Sequence, residues 1–221
     1  NFNVVERNYL KNDYRITGAL YNTVIDSVGY IYYGSFSNDI SAGQAEAIAK
    51  SFGHLKGIII DVRDNDGGDP TNAENIASVF ATQKTLTQYW LYKSGPGHDE
   101  FSKPEPHYIE PSGNFTFTKP VAVLTNRKCF SATNDFVLMM RALPNVIIIG
   151  DTTGGGGGVP IESELPNGWI YRFSSTMTLA PDGFNVEAGI PPHVKVDISP
   201  SDEANGIDSI IERAIEEIKN K

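Results

Sequence analysis

Three short apolar runs constrain this chain more than any other feature. "GIIIDVR" (57–63), "PVAVLTN" (120–126) and "NVIIIGD" (145–151) place apolar side chains at consecutive positions rather than alternate ones. A strand with one wet face alternates. A strand apolar on both faces needs cover on both, which is the situation in parallel sheets flanked by helices. The first two runs each lead through a polar turn into helical spacing. After "DNDGGDP" (64–70), Ala73, Ile76, Ala77 and Phe80 predict a helix over 72–82. After "NRKCF", the segment "SATNDFVLMMRAL" (131–143) sets Phe136, Met139, Met140 and Leu143 on one stripe. Upstream, "SVGYIYYGSF" (27–36) reads as a strand and "SAGQAEAIAKSF" (41–52) as a helix, with Ser41 as N-cap and Gly53 as C-cap. The alternation predicts an α/β fold with a mostly parallel sheet.

The remaining third reads differently. Residues 95–114, rich in Pro, Gly and charge, are expected to form a long surface excursion. "NGWIYRFSSTMTLA" (167–180) alternates in twos, as antiparallel strands do. "SIIERAIEEIK" (209–219) is an amphipathic closing helix with Ile210, Ile211, Ala214, Ile215 and Ile218 on its apolar face. Five consecutive glycines, Gly154 to Gly158, form the one low-complexity segment.

Composition narrows the function classes. The chain has 221 residues, long enough to bury a core without staples. Its formal net charge of −9 argues against nucleic acid as a main partner, because phosphate binding needs a basic face. No apolar run approaches the length of a membrane span. The single cysteine, Cys129, permits no internal disulfide and leaves the compartment open. The histidines, His54, His98, His107 and His193, form no close-spaced ligand pair and read as surface residues, so no metal site is expected. Neither a dinucleotide fingerprint nor a Walker pattern is present, and no cofactor is implied.

Two side chains in "NRKCFSATNDF" (126–136) are candidate nucleophiles. Cys129 reads as a small buried hydrophobe, although Arg127 and Lys128 beside it would lower its pKa if they converged on it. Ser131 opens a helix. It reads as an N-cap, as a nucleophile placed where the helix dipole and the next N–H favour negative charge, or as both. Gly67 and Gly68 are either requirements of a tight turn or a means for a backbone N–H to approach a carbonyl oxygen. Glu187, in "VEAGIPP", has no role legible from its own surroundings.

Taken in order, "GYIYYGSF", "GIIIDVRDNDGG", "PVAVLTNRKCFSATNDF", "VIIIGDTTGGG" and "EAGIPPHVKV" resemble the C-terminal processing (tail-specific) serine peptidases and their tricorn-type relatives. The match spans roughly Val28 to Val196. The resemblance implies a ββα core related to the Clp protease and crotonase folds, followed by a β-rich C-terminal section and the closing helix. It sets Ser131 in the position of the nucleophile, in a run that is commonly Ser-Ala-Ser-Glu and here is "SATN". It gives Ala132 and Gly68 the oxyanion-hole N–H groups. The lysine-using branch carries its base in a "G-K-G" after the third strand, and the matching residue here is Gly156, so that Ser–Lys dyad is ruled out. The tricorn-type branch uses a histidine upstream of an inserted PDZ-type domain and a glutamate late in the core, for which Glu187 is the positional match. The chain has no initiating Met, and "VERNYLKNDYR" resembles the link leaving such a domain. Residues 1–26 are therefore expected to be a linker or a segment leaving an upstream domain, and 27–221 the catalytic core, with the base outside the chain. The resemblance further implies a peptide or protein substrate, including C-terminal tails, and a cell-envelope or secreted location.

Two rivals accompany this expectation. One is a non-catalytic relative that binds peptides or ligands with a degenerate site, a reading fed by Gly156 and "SATN". The other is a small-acyl enzyme of the crotonase type, whose coenzyme would need a basic surface that this acidic chain does not offer.

Overall fold

The computed structural model describes residues 5–11, 13–113 and 115–221. A turn of π-helix at Glu6–Leu10 precedes an antiparallel meander of β1 (Arg15–Thr17), β2 (Leu20–Ile25) and β3 (Val28–Tyr32). Helix α1 (Ala42–Ser51) then leads to β4 (Ile58–Asp61), and α2 (Pro70–Ala77) follows. Strands β5 (Thr85–Tyr92) and β6 (Glu105–Ile109) leave the core before β7 (Val121–Thr125), α3 (Ala132–Arg141) and β8 (Val146–Gly150) return to it. The last third carries β9 (Pro160–Glu164), β10 (Ile170–Ser174), β11 (Thr176–Leu179), β12 (Val194–Lys195), α4 (Pro200–Ala204) and α5 (Ser209–Lys219).

The main sheet has seven strands in the order β1-β2-β3-β4-β7-β8-β12. Pairing is parallel from β3 through β12. The three apolar runs are its central strands, and both their faces are covered, as their unbroken hydrophobicity predicts. Alternation along each strand decides the face. Ile58, Ile60, Val121, Val123 and Ile148 pack with α1, α2 and α3. Ile59, Ala122, Leu124 and Ile149 pack with the apolar stripe of α5. All five stripe residues anticipated for α5 are buried. The α5 side is also pinned by charge. Buried Arg63 donates to Asp61 on β4 and to Asp208, whose carboxylate accepts the Ile210 and Ile211 N–H groups as the α5 N-cap.

Several elements depart from the sequence reading. Arg15–Ile25, anticipated within a connecting segment, contributes two strands to the main sheet. The helix expected over 72–82 begins earlier, at Pro70, because Asp69 caps it through Thr71 N–H and proline at the first position presets the helical φ. Part of the expected 95–114 excursion is β6, which pairs with β5. The alternating 167–180 segment is two strands in two sheets: β10 pairs with β9, and β11 pairs with β5. The β9–β10 hairpin leaves Trp169 71% and Ile170 67% exposed.

Candidate active site

Ser131 occupies the crossover from β7 to α3. Its φ of 55° and ψ of −123° are those of the first central position of a type II′ turn, where glycine is the usual residue. Thr133 N–H closes that turn by donating to the Phe130 carbonyl at 3.1 Å. A residue bearing a Cβ at such a φ is held there only by its surroundings. The capping role weighed for Ser131 is not adopted. Its hydroxyl accepts no helix N–H, and Asn134 N–H goes instead to the Ser131 carbonyl at 2.7 Å.

The surroundings are two buried asparagines. Asn65 lies in the turn after β4. Its Oδ1 accepts Gly67 N–H at 3.0 Å and Thr133 Oγ1–H at 2.9 Å, and its carbonyl accepts Phe130 N–H at 3.1 Å. The glycine turn and the serine turn are thus tied to one side chain. On the other side, Asn134 donates to the Gly155 carbonyl, which also accepts Ser131 N–H at 3.1 Å. Asn134 Oδ1 accepts Thr153 Oγ1–H, and Thr153 Oγ1 accepts Ile190 N–H at 2.7 Å. The "TN" of "SATN" therefore holds the turn in place. Sequence reasoning missed Asn65 and Asn134; the only signal was polar residues inside segments that had to be buried.

The glycines have steric reasons. A Cβ on Gly67 would lie 2.6 Å from the Phe130 carbonyl oxygen and 2.8 Å from Ser131 Cβ. One on Gly68 would lie 2.2 Å from Ser37 N. Gly68, Ser131 and Ala132 line one cleft of about 230 Å³, walled by Pro70 and Trp90 and floored by Asp135. Among the described residues, neither the Gly68 nor the Ala132 N–H donates to a protein acceptor. Those two donors and the Ser131 hydroxyl form a constellation suited to acyl transfer.

Other expected residues sit elsewhere. Glu187 is exposed, on a short 3-10 turn at Val186–Ala188. It lines a neighbouring cleft with Lys93, His98, Phe101 and Phe173, which shares Thr176 with the Ser131 cleft. Its backbone packs on the glycine run, where a Cβ on Gly155 would meet the Glu187 carbonyl. Gly156 has a φ of 75°, and the Phe130 ring lies over it, so that a Cβ there would sit 2.1 Å from the ring. Cys129 is fully buried, its thiol donating to the Val62 carbonyl. Burial pushes that thiol up to about 12, with Asn126 N–H opposing. Arg127 and Lys128 pair instead with Asp151 and Asp64.

Among the described residues, no histidine or lysine lines the Ser131 cleft. His107, expected at the surface, is partly buried and stacks on Trp90 with ring centroids 3.7 Å apart. Burial lowers its pKa. Nδ1 of His193 accepts Ile148 N–H at 2.9 Å. The titratable group that does reach the cleft is Asp135, one helical turn after Ser131. Burial raises its carboxyl to about 7; the Gln88 amide opposes the rise and Glu74 adds to it.

The sequence model of peptidase family S41 matches residues 27–196, and the chain belongs to that family. That family is one of serine-type peptidases, which are hydrolases. The chain is 28% identical over 192 residues to the carboxy-terminal processing protease CtpA of Bacillus subtilis, covering 86% of this chain and 39% of that protein. A crystal structure of a candidate peptidase from Parabacteroides merdae superposes with a TM-score of 0.94 at 44% identity, over 98% of this chain and 69% of that one. Mature CPAF in complex with lactacystin shares the fold, with a TM-score of 0.76 at 15% identity, over 90% of this chain and 54% of that one. The chain thus spans about two fifths of the length of its curated relative. No helix among the described residues is long and apolar enough to cross a membrane.

Proposed function

We propose that this chain is the catalytic core of a serine endopeptidase of the tail-specific type. Ser131 Oγ attacks the scissile carbonyl, its proton passes to a base, and the amine leaves an acyl-enzyme that water then hydrolyses. The Gly68 and Ala132 N–H groups hold the oxyanion of each tetrahedral intermediate. The carrying observation is the strained Ser131 turn opening on a cleft beside two N–H groups that have no protein acceptor. Such donors, held before the reaction begins, cost no reorganisation when charge develops.

The base comes from a segment outside this chain. Position 156 holds glycine, where a side chain would need a φ of 75° and a displaced Phe130 ring, and no histidine is among the described residues lining the cleft. This favours the tricorn-type arrangement, in which an upstream histidine enters the cleft from beside a PDZ-type domain and Glu187 orients or polarises it. The substrates are peptides or protein C-terminal tails, met in the cell envelope or outside the cell. A fluorophosphonate probe tests the reading on the full-length protein: labelling is expected, and Ser131→Ala abolishes it. Absence of labelling refutes it and leaves the peptide-binding alternative, which the vacancy of the lysine position favours.

A further inference from the structure

Asp135 projects from α3 on the same face as Ser131, four residues on. Asp135 lines the cleft and is partly buried. Its one side-chain partner is Gln88 on β5, whose Nε2–H donates to Asp135 Oδ1 at 2.8 Å. Gln88 is itself 0% exposed, and its Oε1 has no hydrogen-bond partner. A buried amide oxygen without a donor is costly, and native structures rarely leave one unexplained. Gln88 lines an adjoining cavity that shares Pro70 and Trp90 with the Ser131 cleft.

The walls also lack a competing cation. Among the described residues, no Lys, Arg or His lines the cleft. The indole of Trp90 forms one wall, and His107 stacked behind it is biased towards its neutral form by burial. The charged side chain of the adjoining cavity is Glu74, on α2, whose negative charge acts on Asp135. A guanidinium or ammonium group entering here would meet a carboxylate, an aromatic face and a second carboxylate nearby, with its methylene stem along Pro70 and Trp90.

We infer that Asp135, positioned by Gln88, is the specificity-determining residue of the cleft, and that it selects substrates carrying a basic side chain, arginine or lysine, beside the scissile carbonyl. This rests on reading the Ser131 cleft as the substrate cleft. When the cleft is empty, the raised Asp135 carboxyl is partly protonated near neutrality. A cation drives that proton off, so affinity for it rises from pH 6 to pH 8.

Binding tests the inference without requiring turnover. n-Butylguanidine and its neutral analogue n-butylurea are titrated against the full-length protein by NMR at pH 8. The guanidinium compound is expected to bind at least about tenfold more tightly, and Asp135→Asn to erase that ratio. Gln88→Leu, which deletes the amide that orients the carboxyl, is expected to reduce it. Both variants are checked for a native far-UV spectrum; should Asp135→Asn not fold, the wild-type ratio and its growth from pH 6 to 8 decide. Equal affinity for the two compounds in the wild type overturns the inference, as does a preference that survives in folded Asp135→Asn. Fluorophosphonate labelling of the same preparation reports separately on Ser131. Labelling with no cation preference sinks the specificity claim alone, and cation preference with no labelling sinks the nucleophile alone.

Discussion

Replacing Ser131 by glycine should stabilise the protein relative to replacing it by alanine. Both substitutions remove the hydroxyl, which accepts no helix N–H. Alanine keeps the Cβ at φ 55° and ψ −123°; glycine releases it. Residues held in such sparsely populated regions cost about 1–3 kcal/mol. Against this, glycine brings about 0.5–1 kcal/mol of extra unfolded-chain entropy. The Cβ itself has little to lose beyond its contact with the Gly67 turn. The balance leaves Ser131→Gly about 0.5–2 kcal/mol more stable than Ser131→Ala. For a chain of this size each kcal/mol moves Tm by about 2–4 °C, so the glycine variant should melt roughly 1–8 °C higher. Paired thermal melts by calorimetry measure the difference. An alanine variant that melts at or above the glycine variant would mean that the turn carries no strain, and the claim that the surroundings force Ser131 into its geometry would fall.

Three further outcomes follow from the same geometry. Arg63→Ala leaves Asp61 and Asp208, 1% and 5% exposed, without their shared cation, and should lower stability by about 3–5 kcal/mol in urea titrations; an unchanged midpoint would show that the cluster is not a structural pin. Cys129, buried and pushed up to about 12, should resist Ellman's reagent in the native protein and react once urea is added; rapid native reaction would contradict its placement. Burial raises the Asp135 carboxyl in the folded state to about 7, so its contribution favours folding at acid pH and is lost as pH rises from about 4 through 7. Asp135→Asn should flatten that part of the stability–pH curve, and an unaltered slope would refute the burial.

The parallel core was legible because its strands are apolar at every position, a pattern only a sheet covered on both faces tolerates. The stripe of α5 was legible for a similar reason, since one helix face records its own burial. Strand β5 was not. "TLTQYWLY" mixes polar and aromatic residues because it packs beside α3 at the cleft rather than in the main sheet. Strands β10 and β11 were legible from their alternation, whereas β9, the partner of β10, was not, being largely exposed. Within the candidate site, the turns between buried strands and helices drew attention to Ser131 and to Gly67 and Gly68, and the family resemblance singled out Ser131, Ala132 and Gly68. Asn65 and Asn134 could not, since each is defined by partners up to 68 residues away. Glu187 was reached by positional matching alone: its backbone touches the glycine run and the residue lines the adjoining cleft.

The phenyl ring of Phe130 over Gly156 has a consequence for how such a site can change over generations. A lysine at position 156 needs two things at once: a side chain at a φ of 75°, and a volume now filled by an aromatic ring. The substitution tried alone meets the ring. Removing the ring alone exposes a glycine with nothing to put in the space. The two positions are therefore coupled, and their double-mutant energies should be far from additive. A lineage that carries this phenylalanine beside its serine would need the ring to move before a lysine could settle at position 156.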